Sequence, residues 1–132
     1  MLLTVGRLCV QCIKIAPGND LRALAPLGCG VTTGFGAVEN VLKPDSDSII
    51  GIWGLGGVGM SSLLAAKHRK VETIIAVDVV PERLALAIEL GATHAINGRD
   101  KDVKEQIMAL TGRRMLTRKP ELPAGVPRVA VD

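Results

Sequence analysis

Six consecutive residues carry the most specific chemical signal in this chain: Gly54-Leu55-Gly56-Gly57-Val58-Gly59, a G-x-G-x-x-G run. In such a run the first glycine permits a tight strand-to-helix turn. The second lets backbone approach a diphosphate, and the third lets the helix pack closely on the strand. The helix start then offers free amides and roughly half a positive elementary charge to an anion. No Gly-Lys-Ser/Thr follows, which separates this run from triphosphate-binding loops that need a lysine and a magnesium-binding hydroxyl. Asp78 stands two dozen positions after Gly54, near the roughly twenty-residue offset of an acid that accepts from ribose hydroxyls. A carboxylate there repels a 2′-phosphate, so NAD is expected over NADP. Arg83 is the nearby cation; it is expected to pair with Asp78 or to cover the adenosine ribose, and otherwise to be a solvated helix residue.

Other reactive types give no comparable constellation. Cys9 and Cys12 form Cys-x-x-Cys, but a zinc site needs four ligands and none follows at suitable spacing. His68 and His94 have no ligand partner at helical spacing and read as surface and strand-end residues. No nucleophile is paired with a base. Met60 and Met108 are expected to fill core gaps.

The elements that must position the glycine run follow from periodicity. The first twenty residues read as a strand or two with a turn at Pro17-Gly18-Asn19. Asp20 caps a short helix over 21–25 that Pro26 terminates. Val31, Phe35, Val38 and Leu42 make the apolar stripe of a second helix closed by Lys43-Pro44. Ile49–Trp53 reads as a strand buried on both faces. A helix over 58–70 follows, with small or apolar Val58, Ser62, Ala65 and Ala66 facing a sheet. Thr73–Val77 is the second strand, ending at Asp78. Pro81 opens a helix lined by Leu84, Ala87 and Ile88 that Gly91 stops. His94–Ile96 is a third strand, and a helix over 102–111 presents Val103, Ile107 and Leu110 inward. The fold class is therefore α/β: a partial Rossmann fold, a doubly wound parallel sheet of about three βα units preceded by a short helical stretch.

Composition bounds the partners. The 132 residues are 48% hydrophobic and 22% charged, enough apolar chain for a core and about one domain's worth of length. Residues 1–112 carry eleven Lys/Arg against eleven Asp/Glu, so the net +3 resides in the last twenty residues. That stretch holds Pro120, Pro123 and Pro127 and reads as an extended or disordered tail, with 128–131 able to add a strand. Phe35 and Trp53 are the aromatic residues, too few for the stacking platforms of single-strand nucleic-acid binders. No apolar run approaches a membrane span, and the three cysteines without a secretory signal point to a reducing cytoplasm.

Gly28-Cys29-Gly30-Val31-Thr32-Thr33-Gly34 standing ahead of Gly54–Gly59 makes the chain resemble zinc-dependent alcohol dehydrogenases of the medium-chain family, especially the aryl-alcohol type. The likeness covers about residues 13–112 and includes Val77-Asp78 and Leu90-Gly91-Ala92-Thr93-His94. It implies an NAD-dependent oxidoreductase acting on a primary alcohol. By resemblance Gly54, Gly56, Gly57, Val58 and Gly59 lie at the pyrophosphate, Asp78 and Arg83 at the adenosine ribose, and Thr33 beside the nicotinamide. Cys29 matches the third protein ligand of the catalytic zinc.

The family's other two ligands come from an N-terminal catalytic domain not found in this sequence, so the zinc site is expected to be incomplete and the chain alone inactive. Residues 1–42 match the end of that domain with its linking helix, 43–112 a truncated NAD-binding domain, and 113–132 nothing in the family. In the strand order 3-2-1-4-5-6, stopping after the third unit would leave the first strand as an apolar edge, prone to self-association or to capture of the tail. A non-catalytic nucleotide-binding or interaction module, and a methyltransferase with a similar ribose-binding acid, are the competing readings.

Overall fold

The computed structural model describes residues 14–112 and the backbone of Val129–Val131. Three βα units form its centre: β1 (Ile49–Trp53), α3 (Gly57–His68), β2 (Thr73–Asp78), α4 (Pro81–Leu90), β3 (His94–Asn97) and α5 (Val103–Leu110). Ahead of them lie α1 (Leu21–Leu24), a 3₁₀ turn (Ala25–Gly28) and α2 (Gly30–Gly36). β4 (Val129–Val131) completes a sheet of order β3-β2-β1-β4. The first three strands are parallel, Ile50 facing Ile74 and Ala76 facing Ala95, as βα crossovers require. β4 runs antiparallel on the far side of β1, with Ile50 opposite Val131 and Ile52 opposite Val129. The edge that the sequence leaves bare is thus covered along 50–52 by the chain's own tail.

Strand alternation sends β1 and β2 side chains into two clusters. Ile50, Ile52, Ile74 and Ala76 pack with Val38, Leu42, Leu63, Ala65, Ala66 and Ala87 from the helices on one face. On the other, Ile75, Val77 and Ile96 pack with Ile49, Trp53, Val103 and Ile107. Burial on both faces explains why Ile49–Trp53 and Thr73–Val77 are nearly continuous apolar runs.

Two close approaches set the helix positions. A Cβ at Gly59 would overlap the Gly54 carbonyl, so α3 sits directly against the end of β1. A Cβ at Gly34 would overlap the Val58 carbonyl and lie 2.8 Å from Ser61 Cβ, so α2 crosses α3 backbone to backbone. Ser62 Oγ bridges the crossing, donating to the carbonyls of Gly34 at 3.1 Å and Val58 at 3.0 Å. Lower down, Arg69 donates to Pro44 O at 2.9 Å and pairs with Glu39 at 3.1 Å, joining the end of α3 to the segment leading into β1.

Several expectations need correction. The second helix is not uniformly α: after Gly36 it widens into a π turn over Ala37–Leu42, with Lys43 N–H donating five residues back to Val38 O at 2.8 Å. Lys43, left-handed at φ 46°, then turns the chain out ahead of buried Pro44. Ile88 does not face the sheet but is 46% exposed, because the contact of α4 is centred on Ala87 and Leu84, with Leu90 beyond. On α5, Val103 and Ile107 meet the sheet, whereas Leu110 and Met108 are exposed; Met60 packs on the core as expected. The N-terminal strand falls mostly outside the described residues, as does Cys9-x-x-Cys12. Residues 14–20 contain the turn at 17–18 and no strand.

α3 ends in a Schellman arrangement: Val71 N–H donates to Ala66 O at 3.1 Å and Lys70 N–H to Lys67 O at 2.9 Å, with Lys70 at φ 61°. Lysine is strained there and glycine is not. Lys70→Gly should therefore raise stability by about 0.5–1 kcal/mol, read as a higher urea midpoint at unchanged slope. Gly34→Ala should lower stability by about 1–3 kcal/mol in the same assay, since the helices must separate to admit the methyl group.

Candidate functional site

The end of β1 turns through Gly54 at φ +86°, a conformation that glycine alone adopts without strain. Leu55 then buries its side chain in the core, anchoring the loop from below. Gly56 is the N-cap of α3, and its carbonyl accepts from Met60 N–H at 2.9 Å. A Cβ built at Gly56 or at Gly57 meets nothing within 4 Å, so the outer side of the loop is open space. The first-turn amides of a helix have no intrahelical acceptor. The helix start is therefore not plugged by side chains.

Asp78 ends β2 directly beside this loop. Its residue is 7% exposed, and both carboxylate oxygens are engaged. Oδ2 accepts from Leu55 N–H at 2.5 Å, while Oδ1 accepts from Val79 N–H at 2.7 Å and Val80 N–H at 2.9 Å. Arg83, one turn into α4, brings Nη1 to 3.8 Å from Oδ2 and is half exposed. Burial pushes the Asp78 carboxyl up, but the N–H groups of Leu55, Val80 and Val79 and the Arg83 guanidinium outweigh it. The net result is a pKa below the ordinary carboxylate value. Of the two expected roles for Arg83, the structure contains the pairing with Asp78.

Thr33 and Cys29 lie on the neighbouring α2. Cys29 is its exposed, free N-cap residue, and Thr33 N–H donates to Cys29 O at 2.8 Å, which stacks the two one turn apart. Thr33 is exposed, and the contact between Gly34 and Val58 carries it to the start of α3. The structure thus joins the glycine loop, Asp78 and Arg83 directly, while α2, which carries Thr33 and has Cys29 as its N-cap, meets α3 at the contact of Gly34 with Val58. Among the described residues no three His, Cys, Asp or Glu gather to hold a metal ion, so zinc does not fit on those residues alone. Among the described residues, likewise, no helix is long and apolar enough to cross a membrane. His68 is exposed at the end of α3 and His94 half-buried at the start of β3, the places read from sequence.

The reading of residue types missed the backbone of Leu55, Val79 and Val80, which holds the acid in place. A strand-end aspartate followed by a turn into a helix was the available signal, because such a carboxylate faces free amides on its own side.

Residues 57–117 match the zinc-binding dehydrogenase family. A benzyl alcohol dehydrogenase of Acinetobacter calcoaceticus superposes with a TM-score of 0.69 at 46% identity, covering 76% of this chain and 28% of that one. An alcohol dehydrogenase zinc-binding domain protein of Burkholderia ambifaria gives 0.68 at 52% identity, covering 76% and 27%. Over the residues matched, the chain is similar to the zinc-binding dehydrogenase family. An S-(hydroxymethyl)glutathione dehydrogenase of Synechocystis is 39% identical over 105 residues, covering 78% of this chain and 28% of that one. The chain spans less than a third of the length of each of these relatives, 28% in the last case. The family match begins within the glycine loop and contains Asp78 and Arg83, whereas Cys29 and Thr33 precede it.

Asp78→Asn tests the electrostatics of the site. However the amide is turned, its NH₂ meets a backbone N–H that the carboxylate satisfied, and stability should drop by about 1–3 kcal/mol. Because the folded pKa lies below the unfolded one, near 3.9, the wild-type advantage should be complete above that value. It should vanish as pH falls through the lower folded pKa. Urea unfolding of both proteins from pH 7 to pH 2.5 checks this, the two curves converging only at the acid end.

Proposed function

We propose that this chain forms the adenosine side of the NAD site of a zinc-type alcohol dehydrogenase. The observation that carries the reading is the hydrogen bond from Leu55 N–H to Asp78 Oδ2. It holds a ribose-binding acid and a diphosphate-binding turn at one fixed separation, as a dinucleotide requires. In this reading the amides that open α3 receive the diphosphate, and the open space over Gly56 and Gly57 admits it. Asp78 Oδ2 accepts from a ribose hydroxyl, because Oδ1 is already occupied by two N–H donors. Arg83 lies over the outer side of the ribose. A 2′-phosphate would approach the buried carboxylate, and its charge would be repelled. Thr33 stands one helix away, beside the nicotinamide. When bound, NAD supplies the hydride acceptor; the residues described here bind and orient it.

The activity proposed for the whole protein is oxidation of a primary alcohol to an aldehyde, with aryl alcohols the first substrates to try, since the benzyl alcohol dehydrogenase is among the more similar relatives. Cys29 is the zinc ligand proposed by resemblance, and the remaining ligands would come from outside the described residues. The compartment proposed is the cytoplasm.

Calorimetric titration of the chain with NAD, NADP, AMP and S-adenosylmethionine tests the reading. NAD and AMP should bind weakly, with Kd about 1 mM or somewhat tighter, NADP at least ten-fold more weakly, and S-adenosylmethionine not measurably. Asp78→Ala should abolish the preference for NAD over NADP while near-ultraviolet spectra show the fold retained. No turnover of benzyl alcohol is expected from the chain alone. Equal binding of NAD and NADP, or tighter binding of S-adenosylmethionine, overturns the proposal.

A further inference from the structure

The turn that leaves β3 opens on Asn97-Gly98, and the other two asparagines, Asn19 and Asn40, are followed by Asp20 and Val41 instead. A backbone nitrogen can attack the carboxamide of the residue before it, and a glycine nitrogen does so most readily because no side chain crowds its approach. The structure both favours and brakes that attack. Asn97 Oδ1 accepts from Arg99 N–H at 3.1 Å, which folds the carboxamide back over the following chain. The same donor lies where negative charge develops on that oxygen as the carbon is attacked. Gly98 and Arg99 are exposed, so water reaches the pair. The brake is Gly98 N–H, which donates to Asp78 O at 2.9 Å just past the last register pair of β2 and β3, Asp78 with Asn97. It must be released before its nitrogen can react. A bond at the end of a ladder opens without disturbing the pairs behind it.

We propose that Asn97 is a site of self-modification in the folded chain, converted through a cyclic imide to aspartate and isoaspartate beside the strand end that carries Asp78. Hydroxide takes the Gly98 N–H proton, the nitrogen bonds to Asn97 Cγ, and the bond from Cγ to Nδ2 breaks to release ammonia. Water then opens the ring at either carbonyl. Asparagine and water have become a carboxylic acid and ammonia, with nothing oxidised or reduced. The position of the turn gives the change its effect. Both products place a carboxylate at the position paired with Asp78, where like charges repel. Isoaspartate also lengthens the main chain by one carbon and carries Gly98 N–H away from Asp78 O. Either product loosens the end of β2.

The folded chain is incubated in mildly alkaline buffer and its tryptic peptide 84–99 followed by mass spectrometry. That peptide should show the mass shift of amide to acid, with isoaspartate among the products, while the peptides holding Asn19 and Asn40 lag behind. Gly98→Ala separates this route from direct hydrolysis of the side chain. Gly98 is not among the glycines of positive φ, and a Cβ there meets Val77 Cγ1 at 3.5 Å and Val79 Cγ1 at 3.6 Å, ordinary contacts that leave the fold intact. Conversion in this variant should fall by about ten-fold or more, since the methyl group crowds the attacking nitrogen. The converted chain, separated by its added negative charge, should unfold at a lower urea concentration than the unconverted one. The proposal is overturned by a native chain that stays unmodified while the same chain in urea is converted, by a product that is aspartate alone, or by conversion undiminished in Gly98→Ala. An unchanged urea midpoint overturns the effect on the strand end of Asp78.

Discussion

A single carboxylate ties the two halves of the described site together. Asp78 sits at the end of β2, but its Oδ2 is held by Leu55 N–H in the turn that leaves β1. The turn and the strand end therefore cannot move independently. Burying a charge costs several kcal/mol unless it is fully hydrogen-bonded. Three backbone N–H donors and a half-exposed guanidinium meet that demand here. The ion pair with Arg83 adds little of its own, since one partner is largely in water. What holds the acid is backbone, and backbone is positioned by the sheet.

The sheet in turn depends on contacts with no room for a side chain. Gly59 against the Gly54 carbonyl and Gly34 against the Val58 carbonyl bring α3 onto β1 and α2 onto α3. Ser62, fully buried, is tolerated because its hydroxyl has two carbonyl acceptors at that crossing. Each approach fixes where the next element lies, and the start of α3 is the point at which both meet. The open side of the glycine loop is the complement of this dense side: backbone crowds one surface of the turn and leaves the other free.

Much of this was legible in the amino acids. Ile49–Trp53 and Thr73–Asp78 were recognisable because strands buried on two faces need unbroken apolar runs, and Pro81 and Gly91 mark helix ends by backbone chemistry that does not depend on context. The glycine loop and Asp78 stood out through spacing. Less visible was anything set by packing at helix flanks. Ile88 and Leu110 fit a helical stripe as well as Ala87 and Ile107 do, and only the width of the contact with the sheet decides which are covered. The π turn before Lys43 was hidden for a related reason, since the apolar spacing of Val31, Phe35, Val38 and Leu42 suits an ordinary helix. The amides that restrain Asp78 carry no side-chain signature at all.

The strand order has a kinetic corollary. β1, β2 and β3 are laid down outward from the centre in the order of synthesis, each pairing with its immediate predecessor across one helix. Loop-closure entropy is therefore met in small, similar steps, and the first cluster can condense around β1, α3 and β2 while later residues are still emerging from the ribosome. β4 breaks that pattern, returning to the oldest strand after every other described element is in place. Its arrival raises the contact order of an otherwise local topology and makes docking of the tail the natural last phase of folding.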